Sequence, residues 1–314
     1  MAVAIGAGGS AAAASRPKPN TDEYRKSWGL EAIGAQAAYA AGLSGRGVTV
    51  AIVDCGLQQA QRELLRNVSK KSTDVVTDRA LPAVDRHGSL VAGPLASALN
   101  GRGMVGVAYN ATVLSIRADV DGGLDGQCAF RPADLAKGLD YAREQRAQVV
   151  VLPLQGRKPL GDRFETALKR LVDSGAAVVI AAGNREGAEP TWPARYAADA
   201  RYSGSIVVAG ATGYYGEITR WSNRAGATQP WYIAAPGEWI LTDCARKCRL
   251  RSGTSFAAPY VAGAIALTLE ANPGMSGRDA AARVLATARD AGEPGVDPVY
   301  GRGVLDLTRT FADD

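Results

Sequence analysis

The segment VTVAIVD (48–54) is a near-continuous run of β-branched and small apolar residues, which is typical of a strand buried on both faces. Four further segments have the same character: ATVLSIRAD (111–119), AQVVVLPL (147–154), AAVVIAAG (176–183) and GSIVVAGAT (204–212). A strand with one face in water would instead alternate apolar and polar residues. The five segments therefore predict a parallel sheet that other elements cover on both faces.

Helical patterns lie between these strands. Residues 132–147 and 162–175 each place their apolar side chains on one helical face, and Gly175 is a stop signal for the second helix. Alternating strands and helices predict a doubly wound α/β fold, with a mostly parallel sheet between layers of helices. The stretch 213–253 is rich in Gly, Trp and Arg and predicts β-hairpins and loops.

Length and composition favour a single α/β domain. The chain has 314 residues, of which 46% are hydrophobic and 21% charged. Residues 1–27 are low in complexity and predict a disordered leader or a signal remnant, followed by one domain over 28–314. The net charge is +5, but the basic residues are scattered, and no apolar run reaches the roughly 18 residues of a membrane span. We expect a monomer without a nucleic-acid partner or a membrane-spanning segment.

Four polar residues occupy positions where open α/β sheets place their chemistry, beyond the carboxyl ends of the strands. Asp54 ends the first strand, and Asn184 follows the strand at 176–183. His87, the only histidine, precedes a glycine at the start of a small-residue helix. Ser255 lies in SGTSFAAP, where an apolar helix begins. Each of the four also has a structural interpretation: Ser255 and Asp54 as helix caps, Asn184 as a turn residue and His87 as a core histidine.

Together, the four residue types suit nucleophilic catalysis. A serine hydroxyl becomes a nucleophile when an imidazole removes its proton, and a carboxylate orients that imidazole. An asparagine amide and a backbone N–H can stabilise the developing oxyanion.

The segments VAIVDCG, RHGSLVAG, AAGN and SGTSFAAPYVAG resemble the motifs of the subtilisin-like serine peptidases, or subtilases, in the family's order Asp, His, Ser. GMVGVAYNATVLSIR, TWPARY, ITRWSNRAG, IAAPGEWI and YGRGVLDL extend the resemblance over about residues 25–310. The resemblance implies a subtilisin-like three-layer sandwich and a serine endopeptidase that forms an acyl-enzyme.

Carried over by position, the resemblance makes Ser255 the nucleophile, His87 the general base and acid, Asp54 its orienting carboxylate and Asn184 the oxyanion donor. It implies substrate-binding residues in two groups. The strand that pairs with the substrate corresponds to Leu124, Asp125 and Gly126, and the walls of the pocket before the scissile bond (S1) correspond to Leu154, Gln155, Gly156, Ala182 and Gly183.

The chain departs from the family pattern in LPLQG (152–156), where Pro153 has no N–H to donate, and this leaves the substrate register and the S1 preference open. Arg185 and Glu186 after Asn184 are either solvated residues, or Glu186 adapts the pocket to a basic side chain. Cys55 after Asp54 is either a small apolar filler, a partner of Cys128 or a reactive thiol.

The remaining cysteines leave the pairing open: Cys244 and Cys248 can close a small loop or stay free. The even number of cysteines favours an oxidising compartment, hence a secreted or cell-envelope protein, with a cytoplasmic one as the alternative. We expect no required cofactor and no Cys/His metal site. Structural calcium explains the acidic residues of DVDGGLDGQ (119–127) no better than turn chemistry does.

The sequence thus predicts a serine endopeptidase that acts on polypeptides. Two alternatives stay open: a dedicated processing protease for one peptide or precursor, and a non-catalytic module on the same fold that binds a peptide along an edge strand.

Overall fold

The computed structural model describes residues 18, 21–57, 63–76, 87–120, 128–202, 204–244 and 247–312. The described strands are β1 (Thr49–Asp54), β2 (Thr73–Asp74), β3 (Thr112–Arg117), β4 (Asp119–Val120), β5 (Ala129–Phe130), β6 (Val149–Leu152), β7 (Ala177–Ala181), β8 (Ile206–Thr212), β9 (Tyr232–Pro236), β10 (Ile240–Asp243) and β11 (Arg249–Arg251). The described α-helices are α1 (Asp22–Lys26), α2 (Gly29–Ala32), α3 (Gln36–Ala40), α4 (His87–Ala96), α5 (Pro132–Glu144), α6 (Asp162–Asp173), α7 (Thr254–Ala271), α8 (Gly277–Ala286) and α9 (Leu307–Thr310). Short 3₁₀ helices cover Ala194–Ala198, Ala200–Tyr202 and Gly226–Trp231.

The main sheet has seven parallel strands in the order β2-β3-β1-β6-β7-β8-β9. The predicted doubly wound α/β fold with a mostly parallel sheet is confirmed, and it forms a single domain. Because the strands run in one direction, the carboxyl ends of β1, β6 and β7 lie on the same edge of the sheet. That edge carries the candidate site.

Both faces of the sheet are buried, which explains why the strands are apolar at successive positions. Along β1, Val50 and Ile52 pack into the cluster that contains the apolar residues of α4, α7 and α8. Ala51 and Val53 pack into a second cluster with α5 and α6. The sheet is therefore the middle of three layers.

Helix α7 passes behind the sheet, and fifteen of its residues are buried. Its small side chains let it pack closely against α4 and the central strands, and this fixes the start of the helix beneath the carboxyl ends of β6 and β7. No helix in the described ranges is long and apolar enough to cross a membrane.

The predicted helices at 132–147 and 162–175 correspond to α5 and α6, with ends a few residues shorter. The stretch 213–253 contains the predicted hairpin, β10 with β11, but it also supplies β9, which extends the parallel sheet. Residues 22–26, assigned to the leader from the sequence, form α1, and Tyr24 packs into the core. The division of the chain into a leader and a domain stays a prediction.

The structure decides between the alternatives for the cysteines. Disulfides join Cys55 to Cys128 and Cys244 to Cys248. Cys55 is therefore neither an apolar filler nor a reactive thiol, and its disulfide ties the end of β1 to the segment before β5. The two bridges close loops of very different length, with sequence separations of 73 and 4.

We expect the longer bridge to stabilise the fold more, because it restricts the unfolded chain more. Loop-closure entropy gives about 4 kcal/mol for the longer loop and about 2 kcal/mol for the shorter one. Midpoints of urea denaturation for the Cys55→Ala/Cys128→Ala and Cys244→Ala/Cys248→Ala variants measure the difference. A lower midpoint for the second variant would contradict this expectation.

Candidate active site

Asp54 and His87 form a hydrogen-bonded pair at the carboxyl edge of the sheet. His87 Nδ1 lies 2.7 Å from Asp54 Oδ2, and the carboxylate is 1% exposed while the imidazole is partly exposed. The other carboxylate oxygen, Oδ1, accepts a hydrogen bond from the Cys55 N–H at 2.8 Å. The carboxylate is thus held at both oxygens, and Nδ1 is the ring nitrogen that faces it.

The pair forms because helix α4 begins against the turn after β1. A Cβ atom at Gly88 would collide with the Gly56 carbonyl oxygen, so only glycine permits this approach. His87, the first residue of α4, is thereby brought onto the end of β1.

Ser255 is the second residue of α7 and is half buried. The N-cap position belongs to Gly253, so the interpretation of Ser255 as a helix cap is wrong. Its hydroxyl donates to Pro153 O across the site at 3.1 Å. The next residue, Phe256, has its ring centroid 5.9 Å from that of His87, which brings the start of α7 beside the histidine.

Asn184 lies three residues beyond the end of β7, and its side chain is oriented by Thr254. Its Oδ1 accepts from Thr254 N and from the Thr254 hydroxyl, both at 2.9 Å. A backbone N–H can only donate, so the amide oxygen must face Thr254 and the Nδ2 group must point away from it. Nδ2 lies near Gly253: a Cβ atom added to Gly253 would be 3.5 Å from Asn184 Nδ2. A potential donor is thus fixed at the start of the serine helix.

The segment after β6 supports this arrangement. Gln155 Oε1 accepts from Asn184 N at 3.0 Å, while the Pro153 carbonyl receives the Ser255 hydroxyl. Pro153 lacks an N–H, but its contact with Ser255 is made through its C=O, which accepts a hydrogen bond. Leu154 between them is buried.

The predicted S1 residues lie on both sides of these contacts. Ala182 is fully buried, and the Gly183 N–H donates to the Thr254 hydroxyl oxygen at 3.1 Å. Gly183 has φ of +108°, and a Cβ atom there would be 2.6 Å from Thr191 Oγ1, so the turn after β7 requires glycine. Leu124, Asp125 and Gly126 lie outside the described residues.

A cavity of about 380 Å³ lies between the segment that follows Gln155 and the segment that follows Asn184. Gly156, one of the predicted S1 residues, lines it, and the opposite wall comes from the segment after Asn184 and from residues 190–192. Gly156 and Trp192 exchange backbone hydrogen bonds of 2.6 and 3.1 Å, which join the two walls at the base. The cavity therefore lies beside Asn184, whose sequence neighbour Arg185 lines it.

The structure also decides between the alternatives for Glu186. Its carboxylate lies 3.0 Å from Arg220 Nε, and both side chains are exposed. Arg185, rather than Glu186, lines the cavity. The structure therefore favours a solvated Glu186 over one that adapts the pocket to a basic side chain.

One group of three metal-ligating residue types lies together within the described ranges, namely Asp54, Cys55 and Cys128. Both sulfur atoms belong to a disulfide, and the carboxylate is engaged by His87. This set offers no thiolate and does not fit a metal ion. The loop 119–127, considered above for calcium, lies outside the described residues beyond Val120.

Comparison with known proteins gives a match to the sequence profile of the "Subtilase family" over residues 45–303. The chain belongs to the subtilase family. The resemblance to the subtilases found in the sequence is thereby confirmed. This subtilase is a serine-type endopeptidase, as the sequence indicated.

Among its relatives, the "Major intracellular serine protease" of Bacillus subtilis (strain 168) is 32% identical over 245 residues, 76% of this chain and 73% of the relative. "Subtilisin BL" of Lederbergia lenta is 29% identical over 279 residues, 88% of this subtilase and 96% of the relative. A solved protease structure from Pseudoalteromonas arctica PAMC 21717 has the same fold, with a TM-score of 0.75 at 23% identity, covering 93% of this chain and 98% of that one.

Sequence reasoning did not identify Thr254 or Phe256 as residues that hold the site together, and it named Gln155 only as a wall of the S1 pocket. Thr254 orients Asn184, Gln155 supports its backbone, and Phe256 contacts the histidine ring. The signal for Thr254 was present in the sequence, since a hydroxyl residue directly precedes Ser255. The contact of Gln155 joins residues 29 positions apart and has no local signature.

Proposed function

We propose that this subtilase hydrolyses internal peptide bonds through an acyl-enzyme formed on Ser255. The observation that carries the proposal is the 2.7 Å contact between His87 Nδ1 and buried Asp54, with the histidine ring beside the start of the serine helix. A buried carboxylate that accepts from Nδ1–H leaves Nε2 unprotonated and able to act as a base.

The reaction begins when Ser255 Oγ attacks the carbonyl carbon of the scissile bond and His87 takes the hydroxyl proton. In the resting state that proton points at Pro153 O, so the hydroxyl has to rotate toward the imidazole. His87 then donates the proton to the amine that leaves. Water, deprotonated by the same imidazole, hydrolyses the ester and restores Ser255.

Asn184 stabilises the negative charge that develops on the carbonyl oxygen. Its Nδ2 group is the free end of an amide whose oxygen is fixed by Thr254, so the donor is oriented before the substrate arrives. The Ser255 N–H at the start of α7 is the second donor that we propose.

Removing the Asn184 donor is expected to lower kcat by about 10²–10³-fold with little change in KM, the loss known for the matching donor of subtilisin. Asn184→Asp keeps an oxygen that can accept from Thr254 but replaces the donor, and its charge repels the oxyanion. We therefore expect a larger loss than in Asn184→Ala. Steady-state kinetics on one peptide substrate measure both variants, and a loss below tenfold in Asn184→Asp would contradict the assigned role.

The proposed reaction uses only side chains and backbone groups of this chain, together with water. The proposed substrate is a polypeptide, and the enzyme is proposed to act as a monomer. The two disulfides support an oxidising compartment, hence secretion or a cell-envelope location. The name of the Bacillus subtilis relative describes that protein as intracellular, so a cytoplasmic location remains the alternative.

The experiment that tests the proposal is digestion of an unfolded protein such as reduced casein, with products identified by mass. Endopeptidase activity requires cleavage at internal bonds. Folded protein that cleaves neither casein nor a library of short peptides would overturn the proposal and favour the peptide-binding module.

A further inference from the structure

The cavity beside the site is lined by an unusual number of cationic side chains. Arg157 follows Gly156 on one wall, Arg185 follows Asn184 on the other, and Arg195 lies on the segment after Trp192. All three arginines are exposed. Pockets that select apolar side chains are lined mainly by apolar residues, so this lining indicates another preference.

These arginines form no ion pairs with carboxylates that would neutralise their charge within the described ranges. Arg195 Nε donates to Pro190 O at 2.6 Å, which anchors that side chain at the wall and leaves its terminal nitrogens available. A guanidinium has several donors in one plane, so one such bond does not exhaust it.

The carboxylate that lines the same cavity, Glu189, is committed elsewhere. Both of its oxygens accept from the Ala227 N–H, at 3.2 and 3.0 Å. Its negative charge offsets one of the three positive charges, so a net positive charge remains in the cavity. Glu186, the nearest other acid in sequence, pairs with Arg220.

We propose that this cavity binds an acidic side chain, glutamate or aspartate, of the substrate residue that precedes the scissile bond. The proposal rests on the proposed function, because it places the scissile bond at Ser255. The carboxylate would receive charge-assisted hydrogen bonds from the arginines, while Trp192 and Pro190 contact its methylene groups. A lysine at the same position would be repelled, which adds discrimination by exclusion.

The test compares peptides that differ at one position, with Glu, Gln, Leu or Lys before the scissile bond. We expect kcat/KM for Glu to exceed that for Gln by about tenfold at low salt, because charge-assisted hydrogen bonds stabilise the ionised side chain more than the neutral one. Lys should be the poorest of the four. The Glu/Gln ratio should fall toward one in 1 M NaCl, since the arginines are exposed and screened.

Variants assign the effect to the cavity. Arg185→Gln and Arg195→Gln should each lower the Glu/Gln ratio severalfold. Arg46→Gln is the matched control, because Arg46 is exposed and precedes β1, at the opposite edge of the sheet. A ratio of one or less in the wild type, or one that both cavity variants leave unchanged, would overturn the proposal.

A binding measurement separates this proposal from the proposed function. Tetrapeptide amides ending in Glu or Gln are titrated into full-length Ser255→Ala protein, where no hydrolysis is needed. Tighter binding of the Glu peptide, lost in the added Arg185→Gln change, supports the acidic pocket even if no peptide is cleaved. Equal binding of the two peptides overturns it even if the enzyme is active.

Discussion

Ser255→Ala is expected to lower kcat by about 10⁶-fold, the loss known for the nucleophile of subtilisin. The substitution removes the oxygen that forms the acyl-enzyme, and no neighbouring group replaces it. The fold should be unaffected, because Gly253 occupies the N-cap position and the contacts between Thr254 and Asn184 do not involve Ser255. The hydrogen bond that the variant loses is the one from the hydroxyl to Pro153 O.

Hydrolysis of a fluorogenic peptide under single-turnover and steady-state conditions measures this loss. Ser252→Ala is the matched control, since Ser252 is exposed, lies outside the helix and accepts from Trp239 N. Activity of the Ser255→Ala protein above about 1% of the wild type would show that another group carries the reaction. The residual rate that remains would come from the oxyanion donors and from substrate binding.

Asp54→Asn is expected to lower kcat by about 10⁴-fold while KM changes little. The Cys55 N–H must face an oxygen, so the amide would keep its oxygen at the present Oδ1 position and turn its NH₂ group toward His87. An NH₂ group donates to Nδ1 and thereby favours the tautomer protonated at Nε2. That tautomer cannot take the proton from Ser255.

A fall in kcat without a change in KM distinguishes the wrong tautomer from a loss of structure. Binding of an uncleaved peptide should survive in Asp54→Asn, and the circular dichroism spectrum should match that of the wild type. Asp173→Asn, at an exposed carboxylate paired with Lys169 on α6, is the control and should leave kcat unchanged. A drop of less than about 100-fold in Asp54→Asn would contradict the role of Asp54 in orienting the base.

The central strands could be predicted because a sheet buried on both faces leaves a local signature. Val50 to Val53 point alternately into two cores, so no polar residue interrupts the run. Strand β9 (Tyr232–Pro236) escaped prediction because it lies in a stretch rich in Gly, Trp and Arg that predicts hairpins and loops. Its place in the sheet comes from pairing with β8, which is a tertiary property.

Helices, like strands, could be predicted only where their residues have a clear local pattern. The pattern of α6 places Phe164, Leu168 and Leu171 on one face, and the prediction was accurate to two residues. Helix α8 (Gly277–Ala286) was not predicted, because three of its five buried residues are glycine or alanine and its apolar face is small. The short helix α1 (Asp22–Lys26) adjoins a low-complexity segment, yet Tyr24 joins the core.

At the site, the four polar residues could be found because each follows a strand or begins a helix at one edge of the sheet. Their supporting contacts could not. Gln155 reaches Asn184 and Ser255 reaches Pro153 across long separations in sequence. Such contacts depend on the conformations of the loops at the carboxyl edge of the sheet, and no local sequence pattern predicts those conformations.

The central claim is that Ser255 is an activated nucleophile, and labelling with a fluorophosphonate tests it most directly. The protein is incubated with the reagent, its intact mass is recorded, and the modified peptide is sequenced beside the Ser255→Ala variant. We predict a single adduct that maps to Ser255 and is absent from the variant. Folded wild-type protein that stays unlabelled, or an adduct that persists in Ser255→Ala, would contradict the claim.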